Sequence, residues 1–77
     1  MKLNIKYFGS LVEITGCHEE SIEFSKKLVS EMLAELFERY PVLKKTDFQV
    51  AQNNSIVQKE STIINAEIAL LPPFSGG

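Results

Sequence analysis

Tryptophan is absent from this sequence, and cysteine and histidine each occur once, as Cys17 and His18. One cysteine forms no internal disulfide, so no bridge framework holds the fold. A thiol without a partner also fits a reducing compartment, and the chain is read as cytoplasmic. One histidine beside one cysteine builds no zinc set, so no metal site is expected. No apolar run approaches the ~20 residues that span a bilayer, and the Met1-to-Ile5 start has no signal-peptide character. No large excess of either charge sign exists: the net charge is -2, and the only adjacent basic pairs are Lys26-Lys27 and Lys44-Lys45. That is a poor footprint for nucleic acid, and it gives no reason for a membrane surface. Glycine-rich phosphate loops are missing too, since Gly9 and Gly16 are isolated turn residues.

What remains is 77 residues with 44% hydrophobic content, enough for one small domain. A domain this size buries a modest fraction of its surface and is marginally stable alone, so a partner covering part of it would help.

Leu3, Ile5 and Tyr7 alternate with Lys2, Asn4 and Lys6. This period of two predicts a first strand over residues 2–8 with one buried face. Gly9-Ser10 breaks it, and Leu11, Val12 and Ile14 are expected to tuck a loop onto the core before the turn at Gly16. Ile22 and Phe24 give a short second strand. Val29, Met32, Leu33, Leu36, Phe37 and Tyr40 then follow the i, i+3, i+4, i+7 rule of an amphipathic helix over 28–40. Ser25 and Ser30 are its candidate caps, Glu35 and Arg39 have the favoured order for an i, i+4 ion pair, and Pro41 ends it. A third strand runs through Phe48, Val50 and Gln52. Asn53-Asn54 makes a turn, Ile56-Val57 a fourth strand, and Ile68, Leu70 and Leu71 the last. Residues 58–66 are expected to be irregular, with Ile63 and Ile64 as plugs. The pattern predicts an α+β fold: a mixed sheet of four to five strands packed on one main helix, with the helix inside the crossover that a parallel pair requires.

The ending differs from the rest. Pro72-Pro73 cannot continue a sheet, because proline lacks the donor and fixes its own φ. The expected organisation is a domain over 1–73 and a flexible tail over 74–77. Four residues reach at most ~14 Å. Phe74 offers an apolar anchor. Gly76 and Gly77 present bare backbone that fits a narrow channel in another protein. The carboxylate of Gly77 is sterically open. Conversion to an acyl-adenylate gives it a good leaving group, and a sulfur nucleophile can then displace AMP to leave a thiocarboxylate. Ordering such a tail on docking costs entropy, which burial of the Phe74 ring in the partner would offset. Unstructured tails with glycine are common, and what gives this one weight is its place at the end, just past the last strand.

Three stretches carry a resemblance. They are Lys6-Tyr7-Phe8-Gly9 through Glu13-Ile14-Thr15-Gly16, Leu36 to Arg39-Tyr40-Pro41, and above all Leu71-Pro72-Pro73-Phe74-Ser75-Gly76-Gly77. Together they resemble the MoaD/ThiS group of ubiquitin-like sulfur carriers, which includes the small subunits of molybdopterin synthase. The resemblance covers nearly the whole chain and implies a β-grasp fold. It implies adenylation of Gly77 by an E1-like enzyme using ATP, sulfuration to a thiocarboxylate, and insertion of Ser75, Gly76 and Gly77 into a large synthase subunit. Sulfur would there pass to cyclic pyranopterin monophosphate in molybdenum cofactor biosynthesis. In this role the chain is the sulfur-donating subunit of a two-subunit sulfurtransferase, a heterotetramer with the large subunit. It binds no cofactor itself, and the acids and bases sit on the partner. Alternatives are a carrier for thiazole or another sulfur pathway, or a ubiquitin-like modifier that forms isopeptide bonds.

Phe8, Leu70, Pro73 and Phe74 are the candidate partner-binding residues, against ordinary core packing as the alternative for Phe8 and Leu70. Cys17 could relay sulfur, but a loop thiol without a role is the simpler reading. Glu19, Glu20 and Glu23 read as a solvated edge.

Overall fold

The computed structural model describes residues 1–73. The expected tail, Phe74 to Gly77, lies outside the described residues. The elements are β1 (Lys2–Tyr7), α1 (Leu11–Thr15), β2 (Glu19–Glu23), α2 (Val29–Arg39), a 3-10 turn (Pro41–Lys45), β3 (Gln49–Gln52), β4 (Ser55–Val57) and β5 (Glu67–Leu71). One five-stranded sheet has the order β2-β1-β5-β3-β4. Its central pair, β1 and β5, is parallel, and every other pairing is antiparallel. The first and last strands therefore meet in the middle of the sheet, and the intervening elements form the crossover that such a pair needs.

The core lies between the sheet and α2. Leu3, Ile5 and Tyr7 of β1, Ile68 and Leu70 of β5, Val50 and Ile22 point into it, against Val29, Met32, Leu33 and Leu36 of the helix. The predicted stripe is thus the buried face of α2, with Phe37 and Tyr40 half-buried at its end. Leu11 does not sit in a loop. It is fully buried from a single-turn helix, α1, which Gly16 closes in the left-handed conformation at φ 79°.

Neither Ser25 nor Ser30 caps α2; the N-cap position is Leu28. The carbonyls of Ser61 and Lys59 accept the N–H groups of Val29 and Ser30 at 2.9 and 3.0 Å. Glu31 turns back to accept from the N–H groups of Lys27 and Leu28 at 3.1 and 2.9 Å. These backbone donors hold the Glu31 carboxyl below the usual carboxylate range. The segment 58–66 is therefore the cap itself. Its own anchor is Gln52, a buried side chain that donates to the Thr62 carbonyl at 2.8 Å and accepts from the Ile64 N–H at 3.1 Å. Ile63 plugs the core as expected, whereas Ile64 is 74% exposed, because its neighbour already occupies the inward direction.

Arg39 bonds Glu20 at 3.1 Å, not Glu35. Glu20 also accepts from the hydroxyls of Tyr7 (2.5 Å) and Tyr40 (2.7 Å), whose rings meet edge to face. It belongs to the rim of the core and not to a solvated edge, since on β2 it shares the inward parity of Ile22. One carboxylate thus joins β2, β1 and the end of α2. Burial and the Glu20 contact raise the pKa of both phenols, burial contributing most.

Candidate docking face

Strand alternation gives the sheet a second face, away from α2. Its composition follows from the register. One row crosses the sheet as Ile56, Ala51, Ala69, Lys6 and Glu19. The adjacent row, nearest the end of β5, holds Gln49, Leu71 and Phe8, with Phe8 donating its N–H to the Leu70 carbonyl at 3.1 Å. The row on the other side is polar: Glu67, Asn4 and Ser21. Apolar character therefore concentrates at the end where the chain leaves β5. Two alanines at the centre leave a trough of about 490 Å³ bordered by Phe8, Ile56 and Leu71. Phe8 is 44% exposed and Ile56 is 49% exposed. Lys6 and Glu67 edge the trough with opposite charges.

The root of the tail lies beside this face. Pro72 is half-buried and Pro73 exposed. Gly9, at φ 59°, presents its bare Cα to the Pro72 ring.

Of the residues expected to contact a partner, Phe8 and Pro73 are at the surface. Leu70 is not: it is fully buried, because on β5 it shares the parity of Ile68 and points at α2. Its place on the open face is taken by Leu71. Sequence reasoning does not place Leu71, Ile56, Ala51 and Ala69 on this face, although a signal exists, since Leu70 and Leu71 are adjacent on one strand and must face opposite ways. Phe74, Ser75, Gly76 and Gly77 lie outside the described residues. Cys17 is half-buried, with its Sγ 3.9 Å from the Thr15 hydroxyl, and His18 is exposed at the margin of a neighbouring cleft. Among the described residues, no helix is long and apolar enough to cross a membrane.

Residues 5–77 match the ThiS family. The chain belongs to the ThiS family. It is 28% identical to the molybdopterin synthase sulfur carrier subunit of Caenorhabditis elegans, over all of this chain and 99% of that protein. Among solved structures it is similar to a putative molybdopterin converting factor, subunit 1, from Pyrococcus furiosus. That match has a TM-score of 0.85 at 22% identity, over 96% of this chain and 99% of that one. SAMP1 from Haloferax volcanii superposes at a TM-score of 0.80 and 22% identity, over the whole of both chains. The fold is the ubiquitin-like β-grasp, as the sequence led one to expect. In this ThiS-family chain, the match extends through the four residues that follow Pro73.

Proposed function

We propose that this protein is a sulfur carrier that delivers sulfur from Gly77 to a pterin substrate bound by the large subunit of molybdopterin synthase. The Gly77 carboxylate attacks the α-phosphate of ATP on an E1-like partner, and pyrophosphate leaves. Hydrosulfide then adds to the acyl carbon, AMP leaves, and the thioacid loses its proton to give a thiocarboxylate. Ser75, Gly76 and Gly77 enter the large subunit's channel, while Phe8, Leu71, Pro73 and Phe74 dock around them. A heterotetramer in the cytoplasm is the expected working form.

The observation that carries this reading is the polarity of the sheet face that no other element of the described residues covers. Its apolar rows lie at the end from which Pro72-Pro73 lead the chain out towards Gly76-Gly77. A partner seated there excludes water next to the tail.

Intact-mass analysis after incubation with an activating enzyme, ATP and a sulfur source tests it. The expected product is heavier by one oxygen-to-sulfur exchange at Gly77. An unchanged mass would sink the carrier reading. Capture of a thiazole synthase instead of a pterin-binding subunit would redirect it to another sulfur pathway. Thiol-stable conjugates on lysine would make the chain a modifier instead.

A further inference from the structure

We infer that Gly9 is a positioning residue for sulfur transfer: its bare Cα and the Pro72 ring form a pivot that sets the direction in which the tail leaves the domain. The inference rests on the carrier reading for its effect on transfer, but not for its geometry.

Space is the first part of the case. A β-carbon on Gly9 would stand 2.6 Å from Pro72 Cγ, 3.6 Å from Cδ and 3.8 Å from Cβ. The first distance is closer than two carbons tolerate, so any side chain at position 9 pushes on the proline ring. The left-handed φ of 59° adds a second reason for glycine there. Gly16, by comparison, has a left-handed φ but open space around it, so its glycine serves only the helix cap.

Rigidity is the second part. Phe8, Gly9 and Ser10 each offer a carbonyl to the first turn of α1, accepting from Leu11, Val12 and Glu13 at 3.2, 3.1 and 3.1 Å. Leu11 ties that turn to the core with no exposure. On the other side, Pro72 follows directly on β5, whose Leu70 carbonyl accepts from Phe8. Gly9 is therefore held by the core through α1, and Pro72 by the centre of the sheet. Pro73, next along, is exposed. Among the described residues, the Gly9–Pro72 contact is the last firm hold on the chain, one residue from Phe8 on the docking face. A ring locked in φ and seated against a fixed backbone gives the tail a defined origin and heading. Loss of that heading leaves docking intact but misplaces the reacting carbonyl, and a misplacement of about 1 Å can cost on the order of a hundredfold in rate.

The test uses the full chain as a Gly77 thiocarboxylate, made by sulfide cleavage of an intein fusion, in four forms: wild type, Gly9→Ala, Pro72→Ala and the double variant. Affinity for the large subunit and single-turnover sulfur transfer are measured separately. Affinity should stay within about threefold in all four, because the docking face is untouched. Each single variant should slow transfer by about tenfold or more, and the double should be no slower than the worse single, as for two halves of one contact. Transfer at the wild-type rate by Pro72→Ala, or fully additive losses in the double variant, overturns the pivot. Pro72→Ala introduces no collision, so this arm decides the question even if Gly9→Ala does not fold.

A second readout is independent of sulfur chemistry. With Cys17→Ser and Ser75→Cys, a nitroxide on position 75 broadens amide resonances of the domain. The pattern across Lys6, Phe8 and Ala69 should change when Gly9→Ala is introduced, and likewise when Pro72 is replaced. An identical pattern in all forms refutes the pivot. Failure of the wild-type thiocarboxylate to transfer any sulfur refutes the carrier reading instead, and the pivot is then judged on broadening alone.

Discussion

The two faces of the sheet are built from the same strands, yet they end in opposite situations. The face towards α2 carries Leu3, Ile5, Ile68 and Leu70, all at or below 1% exposure. The other carries Phe8, Ala51, Ile56, Ala69 and Leu71, and no element of the described chain lies across it. Period-two alternation alone would put polar residues there, as it does in the row Glu67, Asn4 and Ser21. The apolar rows are thus an addition to what folding requires. A domain of this size has little stability to spare, so apolar surface kept out of the core is better explained by a partner than by packing.

The sharpest way to break this division is to truncate neighbouring leucines on β5. Leu70→Ala should destabilise the domain by about 2–5 kcal/mol, because the cavity forms in the packed core. Leu71→Ala should lower stability by less than ~1 kcal/mol while weakening binding to the large subunit. Urea melts of the two variants compare them directly. Equal losses would show that the open face is a second core.

Phe8→Ala sharpens the functional half of the comparison. Among the described residues, its ring is the largest exposed apolar group beside the tail root. Truncation should cost about 2 kcal/mol of binding, roughly thirtyfold in Kd, with little change in thermal midpoint. Calorimetric titration with the large subunit reads this effect, and unchanged affinity would remove Phe8 from the docking face.

The inner face has its own polar joint, and that too is open to test. Tyr7 and Tyr40 both donate to Glu20. Each phenol has a folded-state pKa raised above the ordinary value of 10.0. A raised value means that the stabilisation is complete below the unfolded pKa and is lost as pH climbs above it. Wild type should therefore lose stability progressively above about pH 10. Tyr7→Phe should cost about 1 kcal/mol at neutral pH, and the Tyr7→Phe, Tyr40→Phe double should lose much of the alkaline slope. Denaturant titrations at pH 8 and above supply the check, and an alkaline slope unchanged in the double variant would detach it from these phenols.

Periodicity made the buried face of each element legible: the β1 alternation, the α2 stripe and the Asn53-Asn54 turn, whose φ values of 54° and 63° are left-handed. What it could not yield were features set by distant parts of the chain. The α2 N-terminus is satisfied by carbonyls of residues 59 and 61, about thirty positions away, so no local serine signal marks it. Arg39 reaches Glu20 at the rim of the core because Tyr7 and Tyr40 already hold that carboxylate in place, and helical spacing knows nothing of it. The assignment of Leu70 to the surface fails for a different reason, since parity within β5 is readable but competes with the bare expectation of an apolar patch near the tail. Gly9 looks like a simple strand breaker because only the folded chain brings Pro72 against it.

The weakest expected effect concerns the start of α2, where Leu28 and not a serine stands at the N-cap. Glu31 accepts from Lys27 and Leu28, and these backbone N–H groups hold its carboxyl below the ordinary value of 4.5. With the folded pKa depressed, its contribution is present above the unfolded value and disappears as pH falls through the folded one. Glu31→Ala should therefore lower the thermal midpoint slightly at pH 7. The gap to wild type should then close as acid protonates the wild-type carboxyl. The side chain is at the surface, so added salt should narrow the same gap by screening its charge. A gap that persists unchanged at pH 3 would show that position 31 acts through helix propensity, and that the carbonyls of residues 59 and 61 alone hold the start of α2.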